Sequence, residues 1–433
     1  MSSATTPLGT GGRYCVIGAG AAGLAAVKSL REQGADVVGF EATDRVGGHW
    51  HTDYEALHLI TPRGSSGFPD RPMPGDYPLF PHRDQVRDYL VGYAEHHRLT
   101  ESIVLSTPVT AVEPLDGNGR TGWRVHTSRG DEGVFDGVIV ANGHLWDPSV
   151  PPVAGDFTGH SVHSSGYLNT GDIKGDRVLV VGSGNSGCDI AVDAAQARFT
   201  TAICVRDGQM FQPKTLLGRP RAEIPWLVRL PAALQERVAR ALIGVSLGAP
   251  EDYPGLPAPA DRHLDRNPPV VNNQLLYWLH HGRITAVPAI ERISGREVAF
   301  ADGTRREFDT VIWATGFDIS FPFLAEELLT RSGRVPLRTA GGTLPVGLER
   351  LYFVGLAAPR GPQFPVYSAQ MELVTRFIGL HERAPGPGLR LSEAAQRVLP
   401  QDDRVDLIRR HWLADMDRAH AFAARLERAA RRH

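Results

Sequence analysis

The strongest constraint on this chain is a motif that it carries twice. Gly18-Ala19-Gly20-Ala21-Ala22-Gly23 comes after the apolar run Tyr14 to Ile17, and Gly182-Ser183-Gly184-Asn185-Ser186-Gly187 comes after Val178 to Val181. A strand, a Gly-x-Gly-x-x-Gly turn and a helix start together cradle a pyrophosphate. The first glycine permits the tight bend, the second lets the backbone approach phosphate, and the third lets helix pack on strand. Two such motifs predict an α/β chain with two Rossmann-like dinucleotide-binding domains.

The strand after each motif separates the two. After the first, Val37 to Phe40 reads as a second strand that ends at Glu41. A carboxylate there accepts from the ribose hydroxyls of an adenosine and repels a 2′-phosphate, which leaves NAD or FAD. The turn Arg45-Val46-Gly47-Gly48-His49-Trp50 resembles that of FAD enzymes with two dinucleotide domains, so FAD is assigned to the first site. After the second motif, Thr201 to Val205 ends at Arg206. A planar guanidinium in that place suits a 2′-phosphate, hence NADPH. Asp207 beside it keeps NADH open as an alternative, and Lys214 is a second phosphate candidate.

A shorter repeat closes each unit. Phe135-Asp136-Gly137-Val138-Ile139-Val140-Ala141-Asn142-Gly143 matches Phe308-Asp309-Thr310-Val311-Ile312-Trp313-Ala314-Thr315-Gly316 at Phe, Asp, Val, Ile, Ala and Gly. The repeat is one of whole nucleotide-binding units, not of a solenoid. The NADPH domain is therefore expected to be inserted in the FAD domain. Residues 1–160 form the first part of the FAD-binding domain, 161–318 the NADPH-binding domain with an insertion at about 210–270, and 319–433 the return with C-terminal helices.

Composition excludes several classes. At 42% hydrophobic and 22% charged residues with a net charge of −2, the chain has the make-up of a soluble globular protein, and neither nucleic acid nor membrane is expected as a partner. The polar start, Met1 to Gly12, has no secretory pattern, and a cytoplasmic location is expected. The three cysteines, Cys15, Cys188 and Cys204, contain no C-x-x-C pair, which argues against a dithiol reductase and against a zinc site; no metal is expected.

Elsewhere the pattern gives a helix over Gln85–His96 and strands over Val104–Val112, Trp123–Thr127 and Val134–Val140. An amphipathic helix is expected at Leu234–Leu247 and irregular chain over the Pro-rich Ala249–Pro269. Strands return at Phe300–Gly303, Arg306–Trp313 and Leu351–Gly355. A helix opens at Ser368-Ala369-Gln370, and the Arg- and Ala-rich tail Asp402–Arg432 is expected to be helical, its charges a solvated face.

Phe157-x-Gly159-x-x-x-His163-x-x-x-Tyr167, joined to the two Gly-rich turns, Gly47-Gly48-His49-Trp50, Phe68-Pro69-Asp70 and Ala314-Thr315-Gly316-Phe317, resembles the flavin-containing monooxygenases. The resemblance covers roughly Tyr14 to Leu380. It implies an FAD- and NADPH-dependent monooxygenase that forms a C4a-hydroperoxyflavin and passes one oxygen atom of O₂ to a soft N or S nucleophile of a small molecule. It implies flavin contacts at Gly18, Gly20, Ala22, Gly23, Glu41, Gly48, His49, Trp50 and Gln370. It implies NADPH contacts at Gly182, Ser183, Gly184, Asn185, Ser186, Gly187, Arg206 and Thr315. Thr61 and Asn142 are active-site candidates, with no acid or base assigned, and His163 is expected to make a structural hydrogen bond in the linker. Two alternatives stay open: a Baeyer–Villiger ketone monooxygenase, and an NADPH oxidase or sensor flavoprotein without a substrate of its own. A homodimer is also left open, with the insertion as surface or dimer contact.

Overall fold

The apolar runs become strands because each is buried on both faces, as parallel sheets covered by helices require. A computed structural model of the chain describes residues 11–383 and 389–430. The start of the segment read for a secretory pattern, residues 1–10, and the last two residues of the tail, Arg431 and Arg432, lie outside it. The first unit contains β1 (Arg13–Ile17), α1 (Ala21–Glu32), β2 (Asp36–Phe40), α2 (Arg83–His96), β3 (Ile103–Val104) and β4 (Gly137–Val140). The second contains β5 (His160–His163), β6 (Arg177–Val181), α3 (Asn185–Gln196), β7 (Thr200–Cys204), α4 (Ala232–Leu247), α5 (Gln274–His280), β8 (Ile284–Val287) and β9 (Thr310–Trp313). The chain then returns through β10 (Leu351–Phe353), α6 (Phe364–Arg383) and α7 (Arg409–Ala430).

Each unit holds a five-stranded parallel sheet, ordered β10-β4-β1-β2-β3 in the first and β8-β7-β6-β9-β5 in the second. β10 pairs with β4, so the second sheet lies between two crossings of the first in sequence. β5 begins at His160, and bridges from Ala154 to Arg292 and from Phe157 to Gly295 attach the preceding linker to the second unit. The sequence repeat becomes a structural one. Ala141 and Ala314 each donate their N–H to the last residue of the central strand, Ile17 and Val181.

Three strands expected from sequence divide. Val104 ends a strand of the first parallel sheet, while Val109–Pro114 starts a three-stranded antiparallel sheet; Ser106, at φ 50°, turns the chain between them. Val134–Val140 is two strands, Gly130–Phe135 in the antiparallel sheet and β4 in the parallel one. Arg306–Trp313 likewise splits into Arg305–Glu307 and β9. Hydrophobic period alone does not show where a strand changes sheets, since it carries no information about which neighbour a strand pairs with. Two helices also start elsewhere than expected. α6 begins at Phe364, not Ser368, and the tail helix begins at Arg409, after Asp406–Leu407 has paired as a short strand with Ala358–Pro359.

The insertion has a small core of its own, with Met210, Leu216, Ile224, Leu227, Ile243 and Leu264 buried together under α4. It is fastened to the return segment by Arg360, whose Nη1 donates to the Leu264 carbonyl at 2.7 Å, and by the Arg410–Asp265 ion pair at 2.5 Å. Cys15, Cys188 and Cys204 are buried free thiols. Among the described residues no helix is long and apolar enough to cross a membrane.

Candidate functional site

Both Gly-rich turns have the same build. Gly18 and Gly182 sit at φ 98° and 110°, where an L side chain is strained, and a Cβ on either would press on the Ala141 or Ala314 carbonyl oxygen, at 2.7 and 2.4 Å. Gly23 and Gly187 pack so closely that a Cβ would lie 1.9 and 2.0 Å from the Gly18 or Gly182 oxygen. The middle glycines differ in kind. A Cβ on Gly20 would meet only the Gly48 Cα, at 3.6 Å, and one on Gly184 would meet nothing within 4 Å. These two N-cap α1 and α3, and neither helix start has a side-chain cap. Two uncapped helix N-termini therefore face open space with free N–H groups, the arrangement that binds phosphate.

The strand ends differ as the sequence indicated. Glu41 is 7% exposed; its Oε2 accepts the Ala19 N–H at 2.6 Å, and its Oε1 accepts the Thr43 N–H and hydroxyl, both at 2.9 Å. These bonds lock a carboxylate beside the first turn. Arg206 is 81% exposed and its Nε donates to Asp207 at 2.7 Å, so the cation beside the second turn is free to turn toward a ligand.

The linker signature has a structural explanation. A Cβ on Gly159 would strike the Asp309 carbonyl at 2.6 Å. The His163 Nδ1 accepts the Ser165 N–H at 3.1 Å, which leaves Nε2 to donate to the Gly316 carbonyl at 3.0 Å. Burial pushes the His163 imidazole down, and the Gly316 carbonyl opposes that shift. The Tyr167 hydroxyl donates to Asp193 on α3 at 2.7 Å. The expected structural hydrogen bond of His163 is thus present, and no free imidazole is left for proton transfer.

A flavin-binding monooxygenase-like family model matches residues 11–413. The chain belongs to that family.

Flavin-containing monooxygenase 3 of Rattus norvegicus is 30% identical over 394 residues, 84% of this chain and 73% of the relative. Flavin-containing monooxygenase 5 of Oryctolagus cuniculus is 30% identical over 413 residues, 89% of this chain and 77% of the relative. Among solved structures, a Stenotrophomonas maltophilia flavin-containing monooxygenase is similar at TM-score 0.65 and 24% identity, over 85% of this chain and 98% of that one. An open cyclohexanone monooxygenase is similar at TM-score 0.73 and 19% identity, over 96% of this chain and 98% of that one. At these identities the solved structures speak for the fold.

As a member of this family the chain is an NADPH-dependent oxidoreductase with FAD and NADPH as cofactors. The first cradle fits FAD, having an open middle glycine, a free helix start and an acid at the strand end. The second fits NADPH, with the same cradle and an exposed guanidinium.

Each of the other expected residues has a defined place. Gly48, at φ 66°, faces Gly20. The His49 ring lies 5.0 Å from that of Trp50, tilted by 30°, and bonds Asp53 through Nδ1 at 2.5 Å. Ala22 is buried where a Cβ on Gly355 would meet it. Ser183 is buried, Ser186 is half-buried, and the Asn185 Oδ1 accepts the Val271 N–H at 2.9 Å. Thr315 donates to the Ser149 carbonyl at 2.5 Å. Thr61 pairs with the Ser66 hydroxyl at 2.8 Å, and the Asn142 amide donates to the Ser320 carbonyl at 3.1 Å. Gln370 is fully buried, its Oε1 accepting from the Gly355 N–H at 2.9 Å and its Nε2 donating to the Ala357 carbonyl at 3.3 Å. Both ends of its amide hold the backbone that leaves β10.

Sequence reading missed His144 and Tyr54. Burial, with His49 nearby, pushes the His144 imidazole down to about 4, so it is neutral at pH 7. Its only sequence signal is its place directly after Gly143, the end of the shorter repeat. Tyr54 is 4% exposed and reaches across to α3, which no spacing announces.

Proposed function

We propose that this protein is a monooxygenase that transfers one oxygen atom of O₂ to a soft nitrogen or sulfur nucleophile of a small molecule, using NADPH as reductant. The observation that carries this reading is the pairing of two cradles of one design with opposite charges at their strand ends, Glu41 and Arg206. It divides the chain's work between a flavin held at Gly18–Gly23 and a 2′-phosphorylated nucleotide held at Gly182–Gly187.

The flavin, when bound, supplies the redox and oxygen chemistry. The chain's own residues bind, orient and exclude water. The N–H groups that open α1 and α3 receive the two pyrophosphates, Glu41 takes the adenosine ribose on one side, and Arg206 takes the 2′-phosphate on the other. Thr61 and Asn142 border the reaction space and Thr315 borders the nicotinamide. A dry site at this junction limits loss of oxidising equivalents as peroxide. Nitrogen and sulfur are preferred to a carbonyl because the linker pattern ends in Tyr167-Leu168, where related Baeyer–Villiger enzymes carry Trp-Pro or Trp-Asp. The domain division runs with the two sheets, the NADPH domain lying within the FAD domain.

The test is oxygen accounting. Purified yellow protein is supplied with NADPH and O₂ and then with a thioether, a tertiary amine or a cyclic ketone. Stoichiometric sulfoxide or N-oxide with little peroxide supports the reading. Lactone as the main product replaces it with the Baeyer–Villiger alternative, and peroxide formation indifferent to all three probes replaces it with the oxidase.

A further inference from the structure

A buried hydrogen-bonded knot joins the first unit to the helix that carries the second cradle. Asp189 lies on α3, one turn beyond Asn185, where the helix begins. Its Oδ2 accepts the hydroxyl of Tyr54 at 3.0 Å, and its Oδ1 accepts the side-chain amide of Asn272 at 2.7 Å. Tyr54 and Asn272 are 4% and 6% exposed. Tyr54 comes from the first unit, directly after the Gly48–His51 turn that faces Gly20 and after Asp53, whose carbonyl accepts from Arg83 at 2.6 Å. The next residue, Glu55, donates its N–H to the Leu168 carbonyl at 2.8 Å.

Lys214 of the second unit faces Asp189, and its ammonium stands 5.5 Å over the ring of Phe80 in the first unit. Burial pushes the Asp189 carboxyl up and the Lys214 amine down, and each opposes the shift of the other. A continuous path therefore runs from the Gly48 turn through Tyr54 and Asp189 to the helix start that receives the second pyrophosphate.

We infer that Tyr54 and Asp189 are positioning residues, which hold the second cradle at the distance and angle from the first that hydride transfer from nicotinamide to flavin requires. The inference rests on the function proposed above. The hydride leaves NADPH as NADP⁺ and arrives on the flavin, and neither residue touches it. The bond acts on geometry alone, and displacement of reacting atoms by about 1 Å costs about a hundredfold in rate.

Tyr54→Phe tests this, because it removes one hydroxyl and keeps the buried ring. Anaerobic flavin reduction at saturating NADPH is expected to slow by about tenfold or more, with flavin content and NADP⁺ affinity unchanged. Hydrogen exchange of the protein without nucleotide is expected to speed up in peptides covering 49–57 and 185–192. Asp189→Asn keeps the shape of the side chain and gives the same split, so loss of one variant to misfolding leaves the other to decide. Equal limiting reduction rates in wild type and variant overturn the inference while leaving the proposed function intact. A wild-type protein that NADPH does not reduce overturns both.

Discussion

Tyr167 of the linker donates its hydroxyl to Asp193 of α3 at 2.7 Å, so the last residue of the family signature is bonded to the helix that carries the second dinucleotide cradle. Tyr167 is 1% exposed, and its removal leaves a half-buried carboxylate without this donor. Tyr167→Phe should lower stability by about 1.5–3 kcal/mol, the usual range for a hydrogen bond to a charged group. Thermal or denaturant unfolding checks the value. An unchanged midpoint would mean that water replaces the hydroxyl without loss.

The glycines of the first turn make a paired prediction. Gly20→Ala should fold with a normal melting profile, since its Cβ meets only the Gly48 Cα at 3.6 Å, yet purify colourless because the methyl occupies the pyrophosphate approach. Gly23→Ala should fail to give folded protein, because its Cβ would stand 1.9 Å from the Gly18 carbonyl oxygen. A flavin-loaded Gly20→Ala protein would remove the cradle assignment.

Arg206→Ala should raise the KM for NADPH by about tenfold or more, the loss expected for a charge-assisted bond to phosphate, and leave that for NADH nearly unchanged. Arg206 is exposed and paired with its neighbour Asp207, so the substitution disturbs no core. Steady-state kinetics with both nucleotides decide it. Equal effects on the two would detach Arg206 from the 2′-phosphate.

His144 gives a pH prediction. Its imidazole is held down at about 4 by burial, while an unfolded histidine titrates near 6.5. The folded state therefore favours the neutral ring. That contribution to stability is constant above about pH 6.5 and is lost as pH falls toward 4, on the order of 3 kcal/mol over the whole window. His144→Gln should flatten that part of the acid limb, read as the difference in melting temperature between variant and wild type from pH 7 to 4.5. Parallel curves would place the acid sensitivity elsewhere.

Residue order was enough for the parts whose chemistry is local. A turn glycine, a strand-end acid and a strand-end arginine act within a few residues of chain, so Gly18 to Gly23, Glu41, Gly182 to Gly187 and Arg206 were legible from spacing. Each copy of the twin repeat became a strand beside the central strand of its own sheet, as the repeat of Phe, Asp, Val and Ile suggested. Folding in three dimensions was needed for everything that depends on groups distant in sequence. Tyr54 and Asp189 are 135 positions apart, Gln370 turns its amide to the backbone after β10, and strands such as Val134–Val140 divide between sheets that only folding defines. Period and propensity carry no information about which buried polar group meets which, since burial requires a partner without naming it.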